Sequence, residues 1–329
     1  MAAVAATSAS FAQVAITGGV DFTFGKTTAD ATNGTAGKGL SATDAYIDVG
    51  VTEDLGGGLK AVINMEFNAD GAWGATNYSG DKNITLAGSS GSFTLANSRS
   101  GSILNNMMLA PVVSSTDHWS AANAGVMARG NVDALVVMLP AMSGLTLGYK
   151  YVEGSDTAAN AAVLTANTTT GAITSAPGAY VAGVGSPSTV THVLYGKYAQ
   201  GPLTVVGEYN IRNSEYLTGD ARGQRVDATV TYDAGVDKVA LGIETAGLNT
   251  ANNTTSGSAA TATLLSALVP VGNNVVGMNW GKRDAASFTE FAGQYNFSKL
   301  TYVAASVGTI VSQAGVSSDT FGIRLGKNF

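Results

Sequence analysis

Apolar and polar side chains alternate along most of this chain, in segments of roughly ten residues. In 225–233, for example, Val226 and Val230 on one parity alternate with Arg225 and Asp227 on the other. A period of two is typical of a β-strand with one apolar face. The same pattern recurs in 14–25, 59–67, 145–151, 203–212 and 321–329.

Transmembrane helices are not predicted, because no run reaches the roughly 18 apolar residues that a spanning helix needs. The strongest apolar run, Ala134–Met142, contains Pro140. Within hydrocarbon every backbone polar group must be paired inside the protein, so strands can cross a membrane only as a closed barrel. The chain is therefore either water-soluble or a transmembrane β-barrel.

Composition excludes several other classes of protein. Only 12% of the 329 residues are charged, whereas helix-rich enzymes use many Leu, Glu, Lys and Arg residues. Recurrent aromatic and β-branched residues argue against disorder. The absence of Cys removes disulfides and thiol chemistry, and a net charge of −6 gives no nucleic-acid footprint.

Cofactors are not expected either. His118 and His192 are the two histidines and lie far apart in the sequence, so they provide little material for a metal site. The loop Asn and Asp residues show no EF-hand spacing, which leaves a structural Ca²⁺ without support.

The connectors alternate between short and long. Short ones are expected at 52–58, 88–91, 140–143, 200–202, 234–237, 270–274 and 297–299, with longer ones between them. Bacterial barrels have short periplasmic turns and long external loops. The pattern predicts an all-β protein with about sixteen antiparallel strands of roughly 8–12 residues, closed by pairing of the first strand with the last.

The N-terminus resembles the end of a signal peptide. Ser10-Phe11-Ala12 fits the small-x-small pattern of a signal-peptidase site. We therefore interpret residues 1–12 as a signal-peptide remnant and 13–329 as a single outer-membrane barrel domain. An unstructured Ala/Ser-rich terminus is the alternative.

Three segments resemble the general trimeric porins of Gram-negative bacteria. They are TEDLGGGLKAVINMEF at 52–67, which resembles the first periplasmic hairpin of that family, GSFTLA at 91–96, and the C-terminal FGIRLGKNF. The resemblance implies that Phe329 closes the barrel and is read by the assembly machinery.

The resemblance further implies a homotrimer of sixteen-stranded barrels in the outer membrane, surrounded by lipid and lipopolysaccharide. Each barrel would have its own water-filled pore, narrowed by a third external loop that folds inward. That loop is 99–128 here; it lacks a Pro-Glu-Phe-Gly-type turn, and Asp117 is its only acid.

Strand parity selects the charged residues that would face the pore. Rings of charge and pore width determine the selectivity of such channels. The candidates are Asp48, Lys60, Glu66, Lys150, Arg212, Arg225 and Arg324, with Arg129 after the third loop and Asp117 within it. Further inward acids are Asp21, Asp44, Glu208, Asp227 and Glu290. Lys60, Glu66 and Arg324 are expected at or near mid-strand; ordinary solvated lumen charges are the alternative for each.

The predicted function is passive diffusion of small hydrophilic solutes and ions across the outer membrane, without catalysis. The net charge of −6 favours a mild cation preference. Three alternatives have distinct signatures. A solute-specific channel would have a narrow aromatic-lined path, a barrel hydrolase would need a catalytic constellation, and a secreted adhesin or surface-layer protein would be soluble without detergent.

Overall fold

The computed structural model describes residues 12–28, 37–68, 80–100, 103–111, 130–154, 165–166, 173–174, 189–214, 223–248, 260–312 and 315–329. The strands are β1 (Gln13–Thr27), β2 (Gly37–Gly56), β3 (Leu59–Asn68), β4 (Lys82–Gly88), β5 (Gly91–Ser100), β6 (Gly130–Met138), β7 (Leu145–Gly154), β8 (Thr165–Ala166), β9 (Ile173–Thr174), β10 (Thr189–Gln200), β11 (Leu203–Ser214), β12 (Gly223–Asp233), β13 (Lys238–Leu248), β14 (Ala260–Val271), β15 (Asn274–Arg283), β16 (Ala286–Asn296), β17 (Thr301–Val311) and β18 (Ser317–Asn328). A short 3-10 helix, η1, spans Ile103–Met107.

Sixteen of these strands form one closed antiparallel barrel, as the sequence predicts. Each strand pairs with its neighbours in chain order, except that β7 pairs with β10 because β8 and β9 form a separate two-stranded sheet. β18 pairs with β1 from Gly19↔Asn328 to Thr27↔Thr320, which closes the sheet. Closure leaves no unpaired strand edge.

The predicted short turns are confirmed. The chain reverses at 57–58, 89–90, 201–202, 234–237 and 272–273. Several of these turns need a left-handed residue, and glycine supplies it: Gly57 has φ 63° and Gly272 has φ 63°. In a barrel of this class the short turns mark the periplasmic side and the long connectors the external side.

Three strands of the barrel fall outside the expected length. β1 has 15 residues, β2 has 20 and β4 has 7. A strand rises roughly 3.3 Å per residue, so a tilted strand of about 20 residues exceeds the ~30 Å hydrocarbon core. The β1–β2 hairpin is long because its pairing continues from Gln13↔Thr52 to Thr27↔Gly37.

The two faces of the sheet differ as the alternation predicts. Val226 and Tyr232 are both 51% exposed and point outward, whereas Arg225 and Asp227 are buried on the inner face. Large apolar side chains make the outer surface, which suits contact with lipid. Among the described residues, no helix is long and apolar enough to cross a membrane.

Phe329 continues the seam between the last strand and the first. Its backbone N–H donates to the Gly18 carbonyl (2.9 Å), and its carbonyl accepts from the Gly18 N–H (3.2 Å). A Cβ on Gly18 would lie 2.5 Å from the Phe329 ring, so glycine leaves the space that the ring occupies. The ring is 59% exposed on the outer face, the same side as Ile323 and Leu325. The signal-peptide remnant predicted at 1–12 lies almost wholly outside the described residues and stays a prediction.

Candidate functional site: the pore constriction

Residues 103–111, hereafter the constriction segment, lie inside the barrel. Leu104 and Met107 of η1 are buried against β12–β14. They pack over Gly242 of β13, where a Cβ would come 2.5 Å from the Met107 Sδ and 3.0 Å from the Leu104 Cγ. The expected inward fold of the third loop is therefore confirmed for its described part.

The inner wall beneath the segment is apolar, which is unusual for a water-filled barrel. These inward side chains form one buried cluster with η1: Ala240, Ala262, Leu264, Ala286, Phe288 and Ile310. Burial of apolar surface contributes about 25 cal/mol per Å². The patch therefore gives the segment a docking position on β13–β17.

A polar contact follows the apolar one. The Leu109 N–H donates to the Ser266 Oγ (2.8 Å), and the Ser266 hydroxyl donates to the Asn279 Oδ1 (2.7 Å). The Asn279 amide donates to the Ala110 carbonyl (3.2 Å) and to the Glu290 Oε2 (3.3 Å). Ser266, Asn279 and Glu290 are all buried. Together they satisfy backbone groups of the segment that have left the barrel sheet.

The wall that faces η1 carries two acids. Asp48 of β2 and Glu66 of β3, hereafter the acid pair, are directly opposite in register and half-buried. β3 is eight steps from β13 in the sixteen-strand order, so the two strands are on opposite sides of the lumen. Counted from the periplasmic ends of their strands, Glu66 is the eighth residue and Gly242 the fifth. Three residues correspond to roughly 10 Å along a strand, so the acid pair lies to the external side of η1.

A second charged group, hereafter the wall cluster, lies on β7, β11 and β12. Lys150 bonds Glu208, and the Arg225 Nε lies 2.8 Å from the Asp227 Oδ2. The Arg225 Nη2 lies 4.0 Å from the Glu208 Oε2 and donates a hydrogen bond to the Asn210 Oδ1 (3.3 Å). The predicted inward residues Lys150 and Arg225 are thus brought together, each with a carboxylate partner.

Glu244 of β13 extends this group by one strand and was not among the sequence candidates. It is directly opposite Asp227 in register and fully buried. The alternation of Val239, Leu241 and Ile243 on the outer face already places it inward, so the pattern contained the signal. Ser266 and Asn279 were also missed, since only their contact with the segment distinguishes them from other polar lumen residues.

Arg324 belongs to the closing seam of the barrel. Its Nε donates to the Thr23 Oγ1 (3.3 Å), and its Nη1 lies 3.7 Å from the Asp21 Oδ2. The Tyr302 hydroxyl donates to the same Asp21 oxygen (2.7 Å). Asp21 therefore compensates the charge of Arg324 locally.

The remaining candidate pore residues lie away from the constriction, have no described side-chain position, or lie outside the described residues. Lys60 is the second residue of β3 and exposed beside the periplasmic turn, so its expected position near mid-strand is wrong. The periplasmic turn ends at Gly58 and β3 begins at Leu59, so Lys60 lies in the first pair of strand residues. Arg212 lies in β11, in register with Gly223. Asp117 and Arg129 lie outside the described residues.

These features define a class of protein. A closed sixteen-strand barrel, apolar outside and charged inside, with an inserted segment on one wall, is the architecture of a water-filled transmembrane channel. Selection in such a channel comes from its narrowest cross-section and from the charges around it.

Comparison with known proteins gives the family. A profile of the Gram-negative porins matches residues 1–315. Among solved structures, an anion-selective porin from Comamonas acidovorans has a TM-score of 0.67 at 19% identity, covering 97% of this chain and 100% of that one. OmpF of Salmonella typhi, solved with daunomycin, has a TM-score of 0.65 at 14% identity, covering 96% and 97%. OmpT of Vibrio cholerae has a TM-score of 0.62 at 12% identity, covering 97% and 98%. No curated protein sequence matches.

The chain belongs to the Gram-negative porin family. It is an outer-membrane channel through which small solutes diffuse passively, and it is not an enzyme. The hydrolase and the secreted adhesin or surface-layer protein are thereby excluded. The structural likenesses, at identities below 20%, show the shared barrel fold.

Proposed function

We propose that this porin is a general diffusion pore with a preference for cations, and that the acid pair carries this preference. Solutes pass between the constriction segment on one wall and Asp48 and Glu66 on the other. The single observation that carries the proposal is the position of two lumen-facing carboxylates on the strands across the lumen from the inserted segment.

The acid pair and the wall cluster differ in whether neighbouring basic groups compensate their carboxylates. Like charges directly opposite on neighbouring strands repel each other, so a mobile cation between them lowers their energy. Within the described ranges no ion pair joins Asp48 or Glu66 to a basic group. In the wall cluster, by contrast, Arg225 and Lys150 compensate buried carboxylates. A lumen bounded by low-dielectric walls focuses the field of the acid pair on passing ions.

The acid pair can be tested by planar-bilayer recording of detergent-purified protein under a KCl gradient. Replacing Asp48→Asn and Glu66→Gln together should shift the reversal potential toward anions, because the solute then passes two neutral amides. Glu53→Gln is the matched control, since Glu53 is exposed on β2 with the opposite parity. A double variant with the reversal potential of wild type would refute the role of the acid pair.

The oligomeric state and surroundings complete the proposal. We propose three barrels per assembly, in keeping with the resemblance to trimeric porins, with lipopolysaccharide around the external rim. Lys26 and Lys38 support the second part: they pair in register near the external ends of β1 and β2, exposed on the outer face, where phosphate groups could be bound.

Conductance in the same recordings should rise in groups of three equal steps, because each barrel contains its own pore. Single unitary steps from a purified assembly would contradict the trimer. Current that saturates with one solute, rather than rising with its concentration, would favour the solute-specific channel over the general pore.

A further inference from the structure

A loop that enters a closed barrel meets an unusual constraint. All strand edges of the barrel are already paired, so the inserted backbone cannot gain hydrogen bonds by adding to the sheet. Buried backbone groups without partners cost about 1–3 kcal/mol each. The inward side chains of the wall must therefore supply the missing donors and acceptors.

We infer that Asn279 is the positioning residue of the constriction: its side-chain amide fixes the constriction segment against β14 and β15 and so determines the width of the pore. The inference rests on the channel function of the barrel lumen, and it is independent of which charges select the ions.

Asn279 occupies the centre of the contact. Its Oδ1 accepts from Ser266, which in turn accepts from the Leu109 N–H, while its amide nitrogen donates to the Ala110 carbonyl. Consecutive residues of the segment are thus held through one N–H and one C=O. The same amide donates to Glu290, which fixes its orientation from the side of β16.

The wall next to Asn279 has space for the constriction segment to pack directly against it. A Cβ on Gly277, two residues before Asn279, would lie 2.6 Å from the Ala110 Cβ and 3.0 Å from its Cα. Glycine at 277 therefore leaves the space that brings the Ala110 carbonyl within reach of the amide.

The two contacts of the segment have different consequences. Packing of Leu104 and Met107 on the inner apolar patch is non-directional, because burial of apolar surface depends on area rather than angle. The hydrogen bonds to Ser266 and Asn279 require defined distances and angles. The apolar contact keeps the segment inside the barrel, and the polar contact determines how far it projects into the lumen.

The test compares Asn279→Ala, Ser266→Ala and the double variant with wild type. Asn83→Ala is the matched control: Asn83 shares the inward parity, accepts a hydrogen bond from Asn64 on the far wall (3.2 Å) and, in the part of the chain that the structure describes, makes no hydrogen bond to residues 103–111. Each protein is reconstituted for bilayer recording and for liposome swelling with neutral oligosaccharides of increasing size. Thermal unfolding, followed by circular dichroism, reports the integrity of the barrel.

Loss of one or two net hydrogen bonds should raise the undocked population of the segment by roughly tenfold. We expect greater open-channel current noise and admission of larger sugars in Asn279→Ala, with a barrel that unfolds near the wild-type temperature. Because the three side chains and the segment form one network, the double variant should resemble the single ones.

The inference is overturned if Asn279→Ala shows the noise and the size limit of Asn83→Ala. Should the alanine variant not fold, Asn279→Leu provides the same test, since it keeps the approximate size of the side chain, adds no charge and makes none of these hydrogen bonds. The reversal potential of Asn279→Ala in a KCl gradient is expected to remain cation-preferring. If the inference about Asn279 is wrong, the proposed role of the acid pair still stands. If the acid pair does not select cations, the current noise and the size limit expected for Asn279→Ala are unchanged.

Discussion

Gly326 in the last strand allows two side chains to meet above the backbone. Asp21 of β1 and Tyr302 of β17 each flank β18, and a Cβ at Gly326 would overlap both of them. The Tyr302 hydroxyl donates to the Asp21 Oδ2 at 2.7 Å, so a hydrogen bond joins β1 to β17 across the intervening strand. The seam of the barrel is thus held by side chains as well as by the ladder between β1 and β18.

Tyr302→Phe should lower the free energy of unfolding by about 1 kcal/mol, because it removes one hydrogen bond to the buried Asp21 carboxylate. Urea titration of the protein in detergent or liposomes, followed by Trp fluorescence, measures the change. Tyr295→Phe is the control: Tyr295 is 54% exposed on the outer face and packs edge-on against Phe297. Equal midpoints for the two variants would show that the bond across β18 contributes nothing.

Individual strands show how far the sequence determines the fold. Alternation locates β12 and its faces, because every residue of a half-buried strand repeats the same inside–outside choice. β14 is different: Leu264 faces inward and Leu265 outward, so both faces are apolar. The constriction segment packs on the wall where this pattern is broken. The sequence alone does not explain the inward Leu264, because its contact with η1 is seen only in the structure.

The candidate site was predictable in part for a related reason. Parity determines which way a side chain points, and it correctly placed Asp48, Glu66, Lys150 and Arg225 on the inner face. Parity contains no information on contacts between strands that are not adjacent. It therefore could not predict the ion pair between Lys150 and Glu208, whose strands are separated by β10. The seam contacts of Arg324 were hidden for the same reason, since their partners are at the other end of the chain.

At the scale of the whole molecule, the lumen presents ion-paired charge at the wall cluster, whereas the acid pair has no ion pair among the described residues. Long-range attraction of this kind is screened by salt: the Debye length is about 10 Å at 0.1 M and about 3 Å at 1 M. A cation that is more than a few ångströms from the acid pair therefore senses it only in dilute solution.

Cation preference should accordingly decrease as the salt concentration rises. Reversal potentials recorded for one fixed KCl ratio, first at low and then at high mean concentration, should move toward zero at the higher concentration. The Asp48→Asn and Glu66→Gln double variant should show a smaller dependence. A preference that stays constant from 0.1 M to about 1 M would indicate selection by pore shape rather than by charge.

The seam has a further consequence for how the protein is made. Tyr302 and Asp21 are 281 residues apart in sequence, and Arg324 and Thr23 are 301 apart. Contacts of such separation form late, because the entropy of closing the intervening loop must be overcome first. The first strand has no partner on one side until the final residues arrive, so a prematurely ended chain would keep two open sheet edges, the usual template for aggregation. Only a chain that includes β18 can complete the closing contacts.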